Sequence, residues 1–299
     1  MEAEASPARR LFEIRTGLSH EDLLEIEQIQ REIWGPDDVV PVPHLRAVEH
    51  AGGLVAAAFR GERVVGFSYG FLAAPHGRGM AGAGLHSHMV AVRSEGRGLG
   101  VGQSLKWHQR DWCLRRGIGW ISWTFDPLQA RNARLNLEYL GALAYDYLVD
   151  FYGPMSGPLG GGQSSDRLMA LWQLGSARVK RQLARADVGA AEGEASLAGD
   201  AGLPAADDTW AVRPDRPGHD AEPLIGVVAP EVPEVRVAVP RDVTRLLVED
   251  PELARRWRSA VGVTLTRLLE AGYVVAGFRD GAYVVKRDLT EWEAKDNKL

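Results

Sequence analysis

The sequence is short of cysteine, of charge imbalance and of long apolar runs, and each scarcity excludes something. A single cysteine, Cys113, among 299 residues cannot close an internal disulfide, so the fold has to rest on its core. Such usage fits a reducing compartment, and a cytoplasmic location is expected. Lys and Arg number 35 against 40 Asp and Glu, a net charge of −5. That balance gives no reason to expect nucleic acid or an anionic membrane as the main partner. No apolar stretch approaches the ~20 residues that cross a bilayer, and Met1 to Arg10 lacks the apolar core of a secretion signal. What remains is ordinary globular material, 45% hydrophobic and 25% charged, enough for one large domain or two small ones.

Glycine, in contrast, is plentiful, and its placement is the most informative feature of the chain. Leu85 to Val92 reads as a buried strand that runs into Arg93-Ser94-Glu95-Gly96-Arg97-Gly98-Leu99-Gly100-Val101-Gly102 and then a helix from Val101 to about Arg116. Glycines let the backbone approach a ligand without a Cβ in the way, and the helix start offers free N–H groups and the positive end of its dipole. An anion such as a pyrophosphate is expected there. A dinucleotide loop would need Gly-x-Gly-x-x-Gly/Ala. Counting from Gly96, Gly98 or Gly100 places Val101, Gln103 or Leu105 at the last position, so no register fits.

Around this turn the elements can be ordered. Ser19-His20-Glu21-Asp22 resembles a capping box for a helix carrying Leu23, Ile26, Ile29 and Ile33, stopped by Gly35-Pro36. Leu54 to Phe59 and Arg63 to Leu72 read as strands joined at Gly61-Glu62. After the glycine turn and its helix come a strand from Ile118 to Phe125, a helix from Gln129 to Leu140, and strands at Leu143 to Phe151 and Arg167 to Leu174. The expected order, α-β-β-β-α-β-α-β-β, fills a domain over 11–175. Residues 188–230 are Ala, Gly, Asp and Pro with few large apolar side chains, and a disordered linker is expected. Over 231–290 a β-α-α-β-β module is expected, with Asp250-Pro251 opening its long helix and Asp280-Gly281 turning a hairpin. The module is too small for much stability alone and should dock on the first domain.

The Val-x-Val strand followed by Arg97-x-x-Gly100-x-Gly102 resembles the acyl-CoA loop of the GNAT superfamily of N-acetyltransferases, and the element order agrees with that fold. The resemblance implies an α/β fold with a mixed, mostly antiparallel sheet flanked by helices, whose two central strands splay to admit the pantetheine arm. It implies acetyl-CoA or another acyl-CoA, succinyl-CoA included, as donor, a small-molecule amine, such as an amino acid, as acceptor, and no metal. The donor would be held by Val90, Val92, Arg97, Gly98, Leu99, Gly100, Val101 and Gly102, with Asn132 on the pantetheine or simply facing solvent on its helix. A homodimer is compatible with this reading. The features Trp123-Thr124-Phe125-Asp126-Pro127-Leu128, Tyr152-Gly153 and Ser165-Asp166-Arg167, with the C-terminal Trp257-Arg258 and Gly272-Tyr273, look like one bacterial group of such proteins.

His86-x-His88-x-x-Ala91-Val92 is similar to the pattern of arylalkylamine N-acetyltransferases, where paired histidines help remove the proton of the attacking amine. On a strand the two imidazoles share a face, and imidazole has an intrinsic pKa suited to that task. His88, nearer the loop, is expected to be the base, with His86 beside it. A metal site would need a third ligand that the sequence does not supply. The resemblance also implies a strand N–H near Met89 or Val90 for the oxyanion, and a tyrosine to protonate the leaving thiolate. Leu137 stands at the tyrosine position; Tyr145, Tyr147 and Tyr152 are alternatives. Asp126, at a strand end, would either recognise a substrate ammonium or cap the next helix. Arg131 and Arg167 are candidates for a substrate carboxylate, and Met155 to Gln163 for a lid. Cys113, inside a helix with no base beside it, is not expected to be a nucleophile. The rival reading is a non-catalytic protein that senses acyl-CoA and signals through the C-terminal module.

Overall fold

Ser19 is a true helix cap: its hydroxyl accepts from the Asp22 N–H at 3.1 Å and the Asp22 carboxylate accepts from the Ser19 N–H at 2.9 Å. A strand not read from the sequence, β1 (Glu13–Arg15), precedes it, and the capped helix is α1 (His20–Trp34). Gly35, at φ +96°, ends α1, and a second helix missed in the sequence, α2 (Val42–His50), follows. The structure, a computed structural model, describes residues 12–36, 38–77, 79–153, 163–189, 209–227 and 232–287. Its chain divides into two compact units, Met1–Trp123 with Leu183–Glu194, and Thr124–Gln182 with Ala195–Leu299.

In the first unit β2 (Leu54–Arg60), β3 (Arg63–Ala73) and β4 (Gly84–Val92) run antiparallel, while β5 (Trp120–Phe125) lies parallel to β4, giving the order β1-β2-β3-β4-β5. Val55, Ala57 and Phe59 pack in one apolar cluster with Leu23, Ile26, Ile29 and Leu45 of the first two helices. Ala58 and Val65 belong to another, with Val101 and Leu105 of α3 (Val101–Leu114). The alternation along β2 is that of a sheet covered on both faces, which is why Leu54 to Phe59 reads as an unbroken apolar run.

In the second unit the helix expected from Gln129 to Leu140 is a short α4 (Ala130–Ala133) continued by a π-helical stretch over Arg134–Tyr139. Then follow β6 (Leu143–Leu148), β7 (Arg167–Gln173), α5 (Ala177–Gly189), β8 (Trp210–Pro214), β9 (Pro223–Ile225), β10 (Glu234–Ala238), α6 (Val243–Glu249), α7 (Pro251–Glu270), β11 (Val274–Arg279) and β12 (Ala282–Lys286). The strand order is β7-β6-β11-β12-β10-β8-β9.

Two expectations need correction here. Residues 188–230 are not a linker throughout, because β8 and β9 lie within them, with Trp210 5% and Val212 0% exposed. These strands share the core of β10, which β8 joins in parallel, rather than making one of their own. The boundary near 175 is also not respected. β6 and β7 share a sheet with the C-terminal strands, since β11 pairs with β6 at Val275 and Ala144. Residues 190–208 and most of the expected lid, 154–162, lie outside the described residues. Among the described residues no helix is long and apolar enough to cross a membrane.

Candidate functional site

The site grows from an interruption in sheet pairing. β4 pairs with β5 at Leu85↔Ile121 and His86↔Ser122 and at no later position among the described residues, so its edge from Ser87 onward is left without a strand neighbour on that side. On its other side β4 pairs with β3, but Tyr69 faces Met89 while Gly70 faces Ser87, which makes His88 the extra residue of a β-bulge. The bulge decides the faces. His86 and His88 lie among the rings of β3: Phe71 is 5.2 Å from His86 and 5.9 Å from His88, and the two imidazoles are 6.3 Å apart. Past the bulge, Val90 and Val92 pack on the α3 side with Val65, Val101 and Leu105.

Tyr69 packs edge-on to His88 at 5.7 Å, and its hydroxyl is 2.9 Å from Nε2 of His44. His86 holds Ser122 Oγ through Nδ1 at 3.1 Å. Burial, reinforced by the like charges of His88, His76 and Lys106, pulls the His86 imidazole down to about 4. His88 reaches solvent, yet the rings around its imidazole desolvate it and, with His44, hold it below its ordinary value. Both imidazoles are therefore neutral near pH 7. No hydrogen-bond partner of His88 is found among the described residues, so both of its ring nitrogens can serve a ligand or a water.

At the other end of β4 the glycine turn is anchored by a buried arginine. Arg93, 5% exposed, reaches Glu25 at 2.6 Å, Glu32 at 3.1 Å and the carbonyl of Val64 at 2.8 Å, which ties the strand end to α1. Gly98 and Gly100 then adopt φ +76° and +72°. A Cβ at either would meet nothing within 4 Å, so the left-handed backbone itself is what calls for glycine. Gly100 caps α3 without a side chain, and Ser104 is the residue whose N–H returns to its carbonyl. The N–H groups of Val101, Gly102 and Gln103 thus point ahead of the helix, as an anion site requires. Arg97 is exposed beside them and Leu99 packs with the α3 cluster.

Substitution separates the two kinds of glycine. Gly100→Ala should lower stability by ~1–2 kcal/mol in urea unfolding, the cost of a left-handed alanine. Gly102 is helical, and a Cβ there would stand 3.7 Å from Val92 Cγ2, an ordinary contact, so Gly102→Ala should keep or slightly raise stability. Loss of affinity for an anionic ligand in Gly102→Ala then reports ligand proximity alone.

The remaining candidates belong to the second unit. Asp126 caps the Leu128 N–H at 2.9 Å and forms a fork with Arg258, Oδ1 to Nη1 at 3.2 Å and Oδ2 to Nη2 at 3.0 Å. Of the two roles weighed for Asp126, capping is therefore present, and its charge is already matched. Arg258, which sequence reading did not assign a role, is 6% exposed and also donates to Gln163 at 3.2 Å. Arg167 lies over the Tyr152 ring at 5.2 Å and donates to the Asp166 carbonyl at 2.8 Å, while Arg131 and Asn132 are exposed. Leu137 is fully buried. Tyr147 donates to Asp166 at 2.7 Å, and burial together with that carboxylate pushes its hydroxyl far up, which makes it a reluctant acid. Tyr152 shares a hydrogen bond of 2.9 Å with Thr124. Cys113 is buried and its thiol is pushed up to about 12 by burial, which agrees with an inert side chain. Sequence reading also passed over Ser87 and Lys106, which are hydrogen-bonded at 2.8 Å, and Ser122, which is held by His86.

The mixed, mostly antiparallel sheet flanked by helices is of the α/β type found in GNAT folds. Residues 20–141 match the family model described as "Acetyltransferase (GNAT) family", which supports membership of that superfamily. No curated protein matches it. Similar solved structures include the ribosomal-protein-S18-alanine N-acetyltransferase of Escherichia coli, 15% identical over 56% of this chain and 96% of that one, TM-score 0.44. The ribosomal-protein-alanine N-acetyltransferase of Brucella melitensis is 20% identical over 53% and 98%, TM-score 0.43. Naa50 of Arabidopsis thaliana, in complex with the bisubstrate analogue CoA-Ac-MVNAL, is 15% identical over 54% and 97%, TM-score 0.42.

Proposed function

We propose that the chain transfers an acetyl or other short acyl group from acyl-CoA to a small-molecule primary amine, by direct attack of the neutral amine on the thioester. The observation that carries this reading is the departure of β4 from β5 after His86, with the bulge at His88 and the glycine turn at opposite ends of the exposed edge. That edge fits the donor in three respects. The α3 N-terminus and Arg97 suit a pyrophosphate. The unpaired N–H and C=O groups between Ser87 and Val92 suit the amides of a pantetheine arm, which would run beside Val90 and Val92. At the bulge, a backbone N–H near Met89 or Val90 is the donor for an oxyanion.

His88 takes the role of base, directly or through a water, because it is neutral, solvent-reaching and free at both ring nitrogens among the described residues. His86, tied to Ser122, orders the aromatic face beside it. Calorimetric titration with acetyl-CoA and with succinyl-CoA, using NAD as control, tests the assignment. Micromolar binding of one donor, about −8 kcal/mol, with none for NAD is expected. Absence of any acyl-CoA binding overturns it.

A further inference from the structure

Beneath the point where β4 leaves β5 lies a buried ammonium with no anion to balance it. Lys106, on α3, is 5% exposed; its Nζ donates to Ser87 Oγ at 2.8 Å and sits 3.8 Å from the centre of the Trp123 ring. Ser87 is the first residue of β4 beyond its pairing with β5, and Trp123 is the residue of β5 that follows the paired Ser122. The ammonium thus touches a side chain from each of the two strands where they part. No carboxylate pairs with it among the described residues. One turn further along α3, Gln109 is fully buried with neither amide atom partnered among the described residues, so the interior here is polar beyond what the fold uses.

A buried cation held only by a hydroxyl and a ring face is costly, and methionine would fill the same volume without that cost. The arrangement makes sense if an anion forms in the opening. We propose that Lys106 donates a proton to the sulfur that leaves the acyl group, the part for which Leu137 has no acidic hydrogen. This inference rests on the acyltransferase reading. As the amine nitrogen bonds to the acyl carbon, the C–S bond breaks with its electron pair passing to sulfur. Sulfur takes a proton from Lys106 Nζ, and the attacking nitrogen gives its surplus proton to the His88 side. Solvent returns a proton to Lys106 and removes one from the imidazole, so one thioester and one amine become one amide and one thiol.

Burial draws the Lys106 ammonium down to about 7, where surrendering a proton is easy. The other titratable groups facing it are few. His86 comes from β4 and is pushed down chiefly by burial and to a lesser extent by the charge of Lys106; Cys113 lies on α3 itself and stays neutral; the β5 neighbour Trp123 does not titrate.

The test needs no acceptor amine. CoA itself is bound to the wild type, Lys106→Met and Lys106→Arg, and its thiol is titrated by the ultraviolet absorbance of the thiolate. An ammonium beside the sulfur should lower the thiol pKa by ~1–3 units against free CoA. Lys106→Met should abolish the depression, whereas Lys106→Arg should retain it, because the charge remains. With a turned-over amine, Lys106→Arg should still be slow, since a guanidinium does not give up its proton. If Lys106→Met does not fold, Ser87→Ala, which frees the ammonium from its holder, should raise the bound thiol pKa part of the way. Equal titration of bound CoA in the wild type and the methionine variant overturns the role of Lys106 and leaves the acyltransferase reading standing. Failure of the wild type to bind CoA overturns both.

Discussion

His88→Gln should lower kcat by ~10²–10⁴-fold, the usual contribution of a positioned base, while leaving the affinity for acetyl-CoA unchanged. Glutamine keeps a hydrogen-bonding side chain on the bulge but cannot take a proton. The split between kcat and donor binding is the readout that matters. A protein that only senses acyl-CoA has no turnover to lose, and a histidine that only supports the bulge would change binding and stability instead. The pH dependence follows from the lowered imidazoles. Activity should climb through the acid range as they lose their protons, with the midpoint of that climb below pH 6.5, the ordinary histidine value, since both His86 and His88 are lowered from it. The same shift works on stability. Between the folded value of His86, about 4, and its unfolded value of 6.5 the unfolded chain binds more protons, so acidification across that window favours unfolding.

Arg258→Met should cost ~3–5 kcal/mol in urea unfolding, because it strands the Asp126 carboxylate without its partner. Burial opposes the charge on Arg258, but Asp126, by attraction and by its hydrogen bonds, more than restores it, with Tyr147 and Asp166 adding to the same side. Asp126→Asn in the same chain should recover most of the loss, since the amide oxygen can still cap Leu128 and no buried charge is left alone. Asp166 belongs to the same neighbourhood. Burial works against its charge, yet hydrogen bonds from Ser164, Tyr147 and the Asp150 backbone, with Arg258 nearby, hold its carboxyl below the usual range. Its contribution is complete above pH 3.8 and is lost as the pH falls through the lowered folded value.

What could be read in advance was whatever local chemistry specifies. The cap at Ser19, the glycine turn ahead of the helix at Val101, the Asp250-Pro251 helix start and the Asp280-Gly281 turn each announce themselves within a few residues, and each stands in the structure where expected. The bulge could not be seen, because it is a property of pairing: only the offset between Tyr69–Met89 and Gly70–Ser87 makes His88 the surplus residue. Lys106 gave no signal either, as a lysine inside an amphipathic helix is ordinarily solvated, and its burial depends on Ser87 and Trp123 arriving from two strands. Arg258 and Asp126 are far apart in sequence and meet only through the fold. Composition misled over 209–227, where Trp210 and Val212 are diluted by Asp, Arg and Pro yet enter a core supplied by β10.

The pairing of β11 with β6 has one more meaning. A strand at the margin of a sheet offers its free backbone groups to any chain that passes, and proteins guard such margins against self-association. Here the guard is the C-terminal part of the same molecule: β11 covers the side of β6 that β7 does not. A chain ending soon after β7 would keep the histidines and the glycine turn, but would present β6 as an open template for intermolecular strand exchange. Pairing with β11 thus closes a margin of the sheet that would otherwise stand open.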